Sequence, residues 1–225
     1  FQNEVARYMY TRRGARPDVV VIASARNFQE ALRGLALCAW PSNNFLLLVD
    51  PEKPGQEVAK LLDLNPKGLI FHSEQIRVVT VTSLPAEFQE ELFKSGFNLV
   101  EASGADYYIV LSYFKIKPST IIFCDGEGPL FNAFAATYIT HTGSPVVFTE
   151  NGKVDELALR WLTGMGVQNA VWVGKNGIPG RIKVELRRFN LRIMQVTSVN
   201  PHELCLRWAR LFFTRLNFGW RAGPA

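Results

Sequence analysis

Short apolar runs alternate along the chain with longer stretches in which apolar positions recur every three or four residues. Val19-Val20-Val21-Ile22-Ala23, preceded by Pro17 and Asp18, reads as a strand buried on both faces. After the polar turn Ser24 to Asn27, the residues Phe28, Ala31, Leu32, Leu35, Ala36 and Ala39 repeat at helical spacing, and Pro41 closes that helix. Phe45-Leu46-Leu47-Leu48-Val49, ended by Asp50-Pro51, is a second buried strand. A helix from about Gln56 to Leu64 and a strand at Leu69-Ile70-Phe71 complete a β-α-β-α-β series. Strands that are apolar throughout and separated by helices belong in a parallel sheet covered on both faces.

The same order then returns. Ile121-Ile122-Phe123 is followed by a helical pattern over Phe131, Phe134, Ala135, Tyr138 and Ile139, then by the strand Val146-Val147-Phe148. A helix through Val154, Leu157, Ala158, Trp161 and Leu162 leads to Val171-Trp172-Val173. The pairings Ala31/Ala133 and Ile70/Trp172 share one offset of 102 positions. Phe97-Asn98-Leu99 and Phe189-Asn190-Leu191 are identical triplets in matching places, which points to duplication. Arg77 to Val81 has no counterpart in this alignment and reads as an extra strand or hairpin arm. Each unit closes with a strand and a helix: Leu99-Val100-Glu101 then Ala105 to Phe114, and Leu191 to Val196 then Pro201 to Thr214, the last capped by Asn200 with Pro201 in its first turn. Phe1, Val5, Tyr8 and Met9 suggest a further amphipathic helix at the start. The expected fold is therefore α/β, two tandem Rossmann-like repeats with parallel sheets covered by helices. The units span 1–116, with the preceding helix, and 117–216, with the following helix, before a tail at 217–225.

Composition narrows the function classes. With 225 residues, 48% hydrophobic, the chain buries a substantial core and is not disordered. The net charge of +5 comes from scattered Lys and Arg and from Arg12, Arg13, Arg16, Arg187, Arg188 and Arg192, which suits an anionic polymer but carries no nucleic-acid pattern. Cys38, Cys124 and Cys205 are far apart, odd in number and flanked by apolar residues, so they read as buried free thiols and not as a disulfide framework or a zinc site. No run approaches the roughly 20 apolar residues of a membrane span. The sequence opens at Phe1 without an initiator Met, which leaves a preceding leader or a further repeat open.

In an open parallel sheet, ligands bind beyond the carboxyl ends of the strands. The residues placed there are Ser24, Arg26 and Asn27, then Asp50, then Asp125-Gly126-Glu127-Gly128, and Thr149, Glu150 and Asn151. Asp125 to Gly128 resembles half of a dinucleotide fingerprint, but two carboxylates would repel a pyrophosphate. Asp50, Asp125, Glu127 and Glu150 could gather round a hard cation, although their spacing defines no coordination shell and strand-end carboxylates commonly form turns. His72, His141 and His202 are isolated, and Ser24 sits in no nucleophile elbow. Trp161, Trp172 and Trp208 lie on apolar stripes or in a strand and read as core, whereas Trp220 lies in the polar tail. No catalytic residue, metal or cofactor is assigned.

Asn-Phe-Gln-Glu-Ala-Leu (27–32), Leu-Phe-Asn-Ala-Phe-Ala-Ala (130–136), Ser-Pro-Val-Val-Phe-Thr (144–149) and Val-Gln-Asn-Ala-Val-Trp-Val-Gly (167–174) together resemble the cell wall-binding type 2 repeat. The helix-start Asp of that family is Glu30 or Asn132 here, and the second Gly of its glycine pair is Lys175. The resemblance implies a non-catalytic module that anchors a surface protein to an anionic cell-envelope polymer. The ligand-binding residues expected from the strand-end loops are Arg26, Asn27, Asp125, Glu127 and Asn132, with a protein partner or a homo-oligomer as further possibilities. A cell-surface or extracellular location follows, against a cytoplasmic one. Two other readings stand beside it: a nucleotide- or metal-dependent enzyme or regulator using the strand-end cleft, and a structural subunit of a protein complex.

Overall fold

Two four-stranded parallel sheets carry the fold. The computed structural model describes residues 8, 14–39, 42–50, 60–61, 63–104, 106–114, 118–125, 133–149, 153–154 and 156–215. In chain order, the first half holds β1 (Val20–Ser24), α1 (Phe28–Leu37), β2 (Phe45–Val49), β3 (Leu69–Phe71), β4 (Glu74–Ile76), β5 (Val78–Thr80), α2 (Ala86–Lys94), β6 (Leu99–Glu101) and α3 (Asp106–Tyr113). The second half holds β7 (Thr120–Cys124), α4 (Ala135–Thr142), β8 (Val146–Phe148), α5 (Glu156–Gly164), β9 (Asn169–Gly174), α6 (Gly180–Arg188), β10 (Arg192–Thr197) and α7 (Pro201–Arg215). The expected helix at the chain start, apart from the helical Tyr8, the beginning of the helix near Gln56, and the tail from 217 lie outside the described residues.

The strand orders are β2-β1-β5-β6 and β8-β7-β9-β10, so each half puts its first strand inside the sheet, its second at one edge and the later two on the other side. All six pairings within these sheets are parallel. The α/β class with helix-covered parallel sheets is as the apolar pattern predicts.

One assignment is corrected. Leu69–Phe71 does not join the first sheet: it pairs antiparallel with β4 as a two-stranded hairpin, with Ile70 68% exposed. The strand beside β1 is β5, where Val20, Val21 and Ile22 register with Val78, Val79 and Thr80. This is the position that β9 holds beside β7, so the partner of the Trp172 strand is β5 and the Ile70/Trp172 alignment fails. The hairpin turn is at His72 and Ser73, both with positive φ, 47° and 71°. Two apolar β-branched runs stand close together in the sequence, and periodicity cannot say which one enters the sheet.

Three apolar clusters account for the packing. Val20, Ile22, Val78, Leu61, Phe88 and Leu92 fill one face of the first sheet. Its opposite face, through Val21, Ala23, Val79, Tyr107 and Leu111, is continuous with Ile121, Phe123, Trp172, Ala158 and Leu162 of the second half. In the third cluster, Leu32 and Ala36 of α1 join Ile122, Cys124, Ile139 and Val146. Helix α1 thus packs on α4 and on the edge strand β8, while α3 packs on α5. The α1 start is fixed by Asn27, whose side-chain oxygen accepts the N–H groups of Gln29 and Glu30 at 3.0 and 3.3 Å. At α7, Asn200 accepts the His202 N–H at 2.9 Å, the cap the sequence predicts.

Because Leu32 is 2% exposed and sits among side chains of the other half, Leu32→Ala should cost about 2–5 kcal/mol of stability. Amide exchange should quicken in both β1 and β7. Acceleration confined to the first half would show that the shared core does not couple the two.

Candidate functional site

The strand-end residues are held by local chemistry. Ser24 is buried, and its Oγ accepts the Arg26 N–H at 3.1 Å, which shapes the turn leaving β1. The Arg26 guanidinium reaches across to the carboxylate ending β2, with Nη2 donating to Asp50 Oδ2 at 2.8 Å. Both partners are substantially solvated, the side chains being 56% and 30% exposed, so the pair contributes little beyond orienting the two loops. Asn27 is exposed and serves as the α1 cap. Arg26, Asn27 and Asp50 are therefore neighbours at the carboxyl end of the first sheet.

Asp125 holds the corresponding end of β7. Its Oδ2 accepts the backbone N–H of Lys175 at 2.8 Å, tying the exit of β7 to the exit of β9. Gly174 is a requirement of that tie, because a Cβ there would run into the Asp125 carboxylate. Thr149, at the end of β8, is buried and donates to the Cys124 carbonyl at 3.3 Å. Glu127, Asn132, Glu150 and Asn151 lie outside the described residues. No cluster of three or more His, Cys, Asp or Glu side chains suited to a metal occurs among the described residues. None of the helices there is long and apolar enough to cross a membrane.

The other singled-out side chains divide between core and surface. Trp172 is 2% exposed and its Nε1 donates to the Asn176 carbonyl at 2.9 Å, while Trp208 stacks edge-on against Tyr138 in the third cluster. Trp161 is half-buried, and Trp220 lies outside the described residues. His72 belongs to an aromatic group with Phe71 and Tyr113 at the hairpin, above an apolar void of about 20 Å³, which has room for no more than a water or so. Desolvation pushes the thiols of the half-buried Cys38 and the buried Cys124 far up, which keeps both protonated. Cys205 departs from the expected burial: it lies on the exposed side of α7, next to the buried Leu204.

A second concavity was not anticipated. It holds about 380 Å³ between the segment Lys153–Val154 and helix α6, with Leu159 of α5 and Phe189 in its walls. Arg181, Glu185 and Arg188 also line it. Arg188 is visible in the sequence only as one of several scattered cations, because nothing in the order of residues brings Lys153 to α6.

The fold places the chain among α/β proteins built from paired, helix-covered parallel sheets. Its architecture is similar to that of Cwp8 from Clostridium difficile, with a TM-score of 0.68 and 18% identity over 86% of this chain and 33% of that one. It is also similar to Cwp6 from Clostridium difficile, with a TM-score of 0.69 and 14% identity over 88% of this chain and 32% of that one. Both neighbours are cell wall proteins, and the chain spans about a third of their length. No protein-family model matches the chain, and neither does any curated protein.

Two measurements follow from this geometry. Asp125→Ala should cost about 0.5–1.5 kcal/mol by removing the acceptor of the exposed Lys175 N–H, Asn27→Ala about 1 kcal/mol, and Arg26→Ala less than about 0.5 kcal/mol, read by urea denaturation. An Arg26 variant costing more than the Asp125 variant would reverse the assignment of which contact shapes the loops. With a thiol reagent on the native protein, Cys205 should react first and Cys38 and Cys124 only on unfolding, resolved by peptide mass spectrometry.

Proposed function

We propose that the chain is a non-catalytic binding or anchoring module of a cell-surface assembly, contacting an anionic cell-wall polymer or a protein partner. The observation that supports this reading best is the architecture shared with two cell wall proteins over 86% and 88% of the chain. The net charge of +5 is compatible with an anionic partner. On this reading the halves are tandem copies of the type 2 wall-binding kind, divided into 1–116 and 117–216 with a tail at 217–225. The contact surface is the set of strand-end loops bearing Arg26, Asn27, Asp125, Glu127 and Asn132. Arg26 and Asn27 are exposed, so the local bonds that shape their turn leave them accessible from solvent. The place of action is then the cell surface.

Purified chain mixed with cell-envelope fractions should be retained at low salt and released as salt screens the attraction. Absence of retention at low salt would remove the reading. A thermal-shift screen with nucleotides separates it from the nucleotide-dependent enzyme, which requires stabilisation in proportion to occupancy.

A further inference from the structure

We propose that the cleft between Lys153–Val154 and α6 is a binding site for a phosphate-bearing small molecule, a sugar phosphate being the class that fits its walls. The inference rests on the cavity alone and does not depend on the anchoring reading.

Its volume, about 380 Å³, is in the range of small-ligand sites. Arg181, Glu185 and Arg188 stand at i, i+4 and i+7, so they share one face of α6, with roughly 10 Å of helix rise between the two arginines. Lys153 adds a third cation from the opposite wall, against one carboxylate, Glu185, among the described lining residues. Glu185 meets Arg181 through Nε at 3.4 Å, which leaves the two Nη nitrogens of that guanidinium for another acceptor. Among the described residues, the side chains of Lys153 and Arg188 make no ion pair or hydrogen bond. Two guanidinium groups and an ammonium line one cavity, and an arginine fork there matches the oxygens of a phosphate.

The walls argue against a merely solvated basic face. Val154 is 8% exposed, Leu159 is 1% exposed, and Phe189 is half-buried. That apolar lining lies beside cations that are exposed to solvent, Arg181 by 67% of its side chain. It offers Phe189 as a surface for the carbon skeleton of a sugar. A bare phosphate would satisfy the cations and leave that lining unused.

Titration calorimetry of the whole chain with glucose 1-phosphate, inorganic phosphate and glucose tests this. Glucose 1-phosphate should bind more tightly than inorganic phosphate, and uncharged glucose should show no binding. Lys153→Ala and Arg188→Ala should each weaken the sugar phosphate about tenfold, while Arg187→Ala, on the same helix but outside the lining, should leave it unchanged. Thermal unfolding of each variant confirms that these exposed substitutions leave the fold intact. No binding of either phosphate, or equal weakening by Arg187→Ala, overturns the proposal; inorganic phosphate binding as tightly as the sugar phosphate overturns its saccharide part. Retention on envelope fractions is read separately, so failure here and failure of the anchoring reading are distinguishable.

Discussion

The rest of the structure depends on how the edge strand β8 is covered. A strand at the edge of a sheet presents unpaired backbone groups and invites association with another strand. Val146, Val147 and Phe148 are nonetheless all buried, at 0%, 2% and 6% exposure. Helix α1 of the first half supplies cover: it packs on β8 and on α4, and Arg33 sits 5.9 Å above the Phe148 ring. Helix α3 approaches the other face through α5. Tyr107 of α3 donates to the Arg33 carbonyl at 3.3 Å, linking the two helices that embrace the second half. The halves consequently share core and are not independent domains joined by a linker.

That coupling explains why β1 and β7 tolerate almost no polar character. β1 turns Val20 and Ile22 toward elements of its own half and Val21 and Ala23 toward the cluster continuous between the halves, while both faces of β7 lie in clusters that include first-half residues. Side chains on both faces are removed from water, so both must be apolar. The loops beyond the carboxyl ends are left as the places where polar residues collect. There the chain uses them first for its own geometry, as the Asn27 cap, the Ser24 turn and the Asp125 tie to Lys175 show.

A fold of this kind separates architecture from chemistry. Similarity to cell wall proteins at 14–18% identity speaks to the arrangement of strands and helices and leaves specificity to the surface. The surface offers two distinct regions: the exposed turn around Arg26 and Asn27, and the cationic cleft beside α6. Their chemistry differs. The first is an ion-paired, solvated loop, whereas the second sets exposed cations beside an apolar wall.

The sequence by itself determined the element types, the parallel character of the sheets, the caps at Asn27 and Asn200, and the core positions of Trp172 and Trp208. These follow from local spacing and from the need to bury apolar faces, both written into neighbouring residues. The tertiary structure alone decided that β5 and not Leu69–Phe71 lies beside β1, that Cys205 faces outward, and that Lys153 meets Arg181 and Arg188 across a cleft. Each is a choice between alternatives of similar local pattern. Only contacts between residues distant in the chain separate such alternatives energetically.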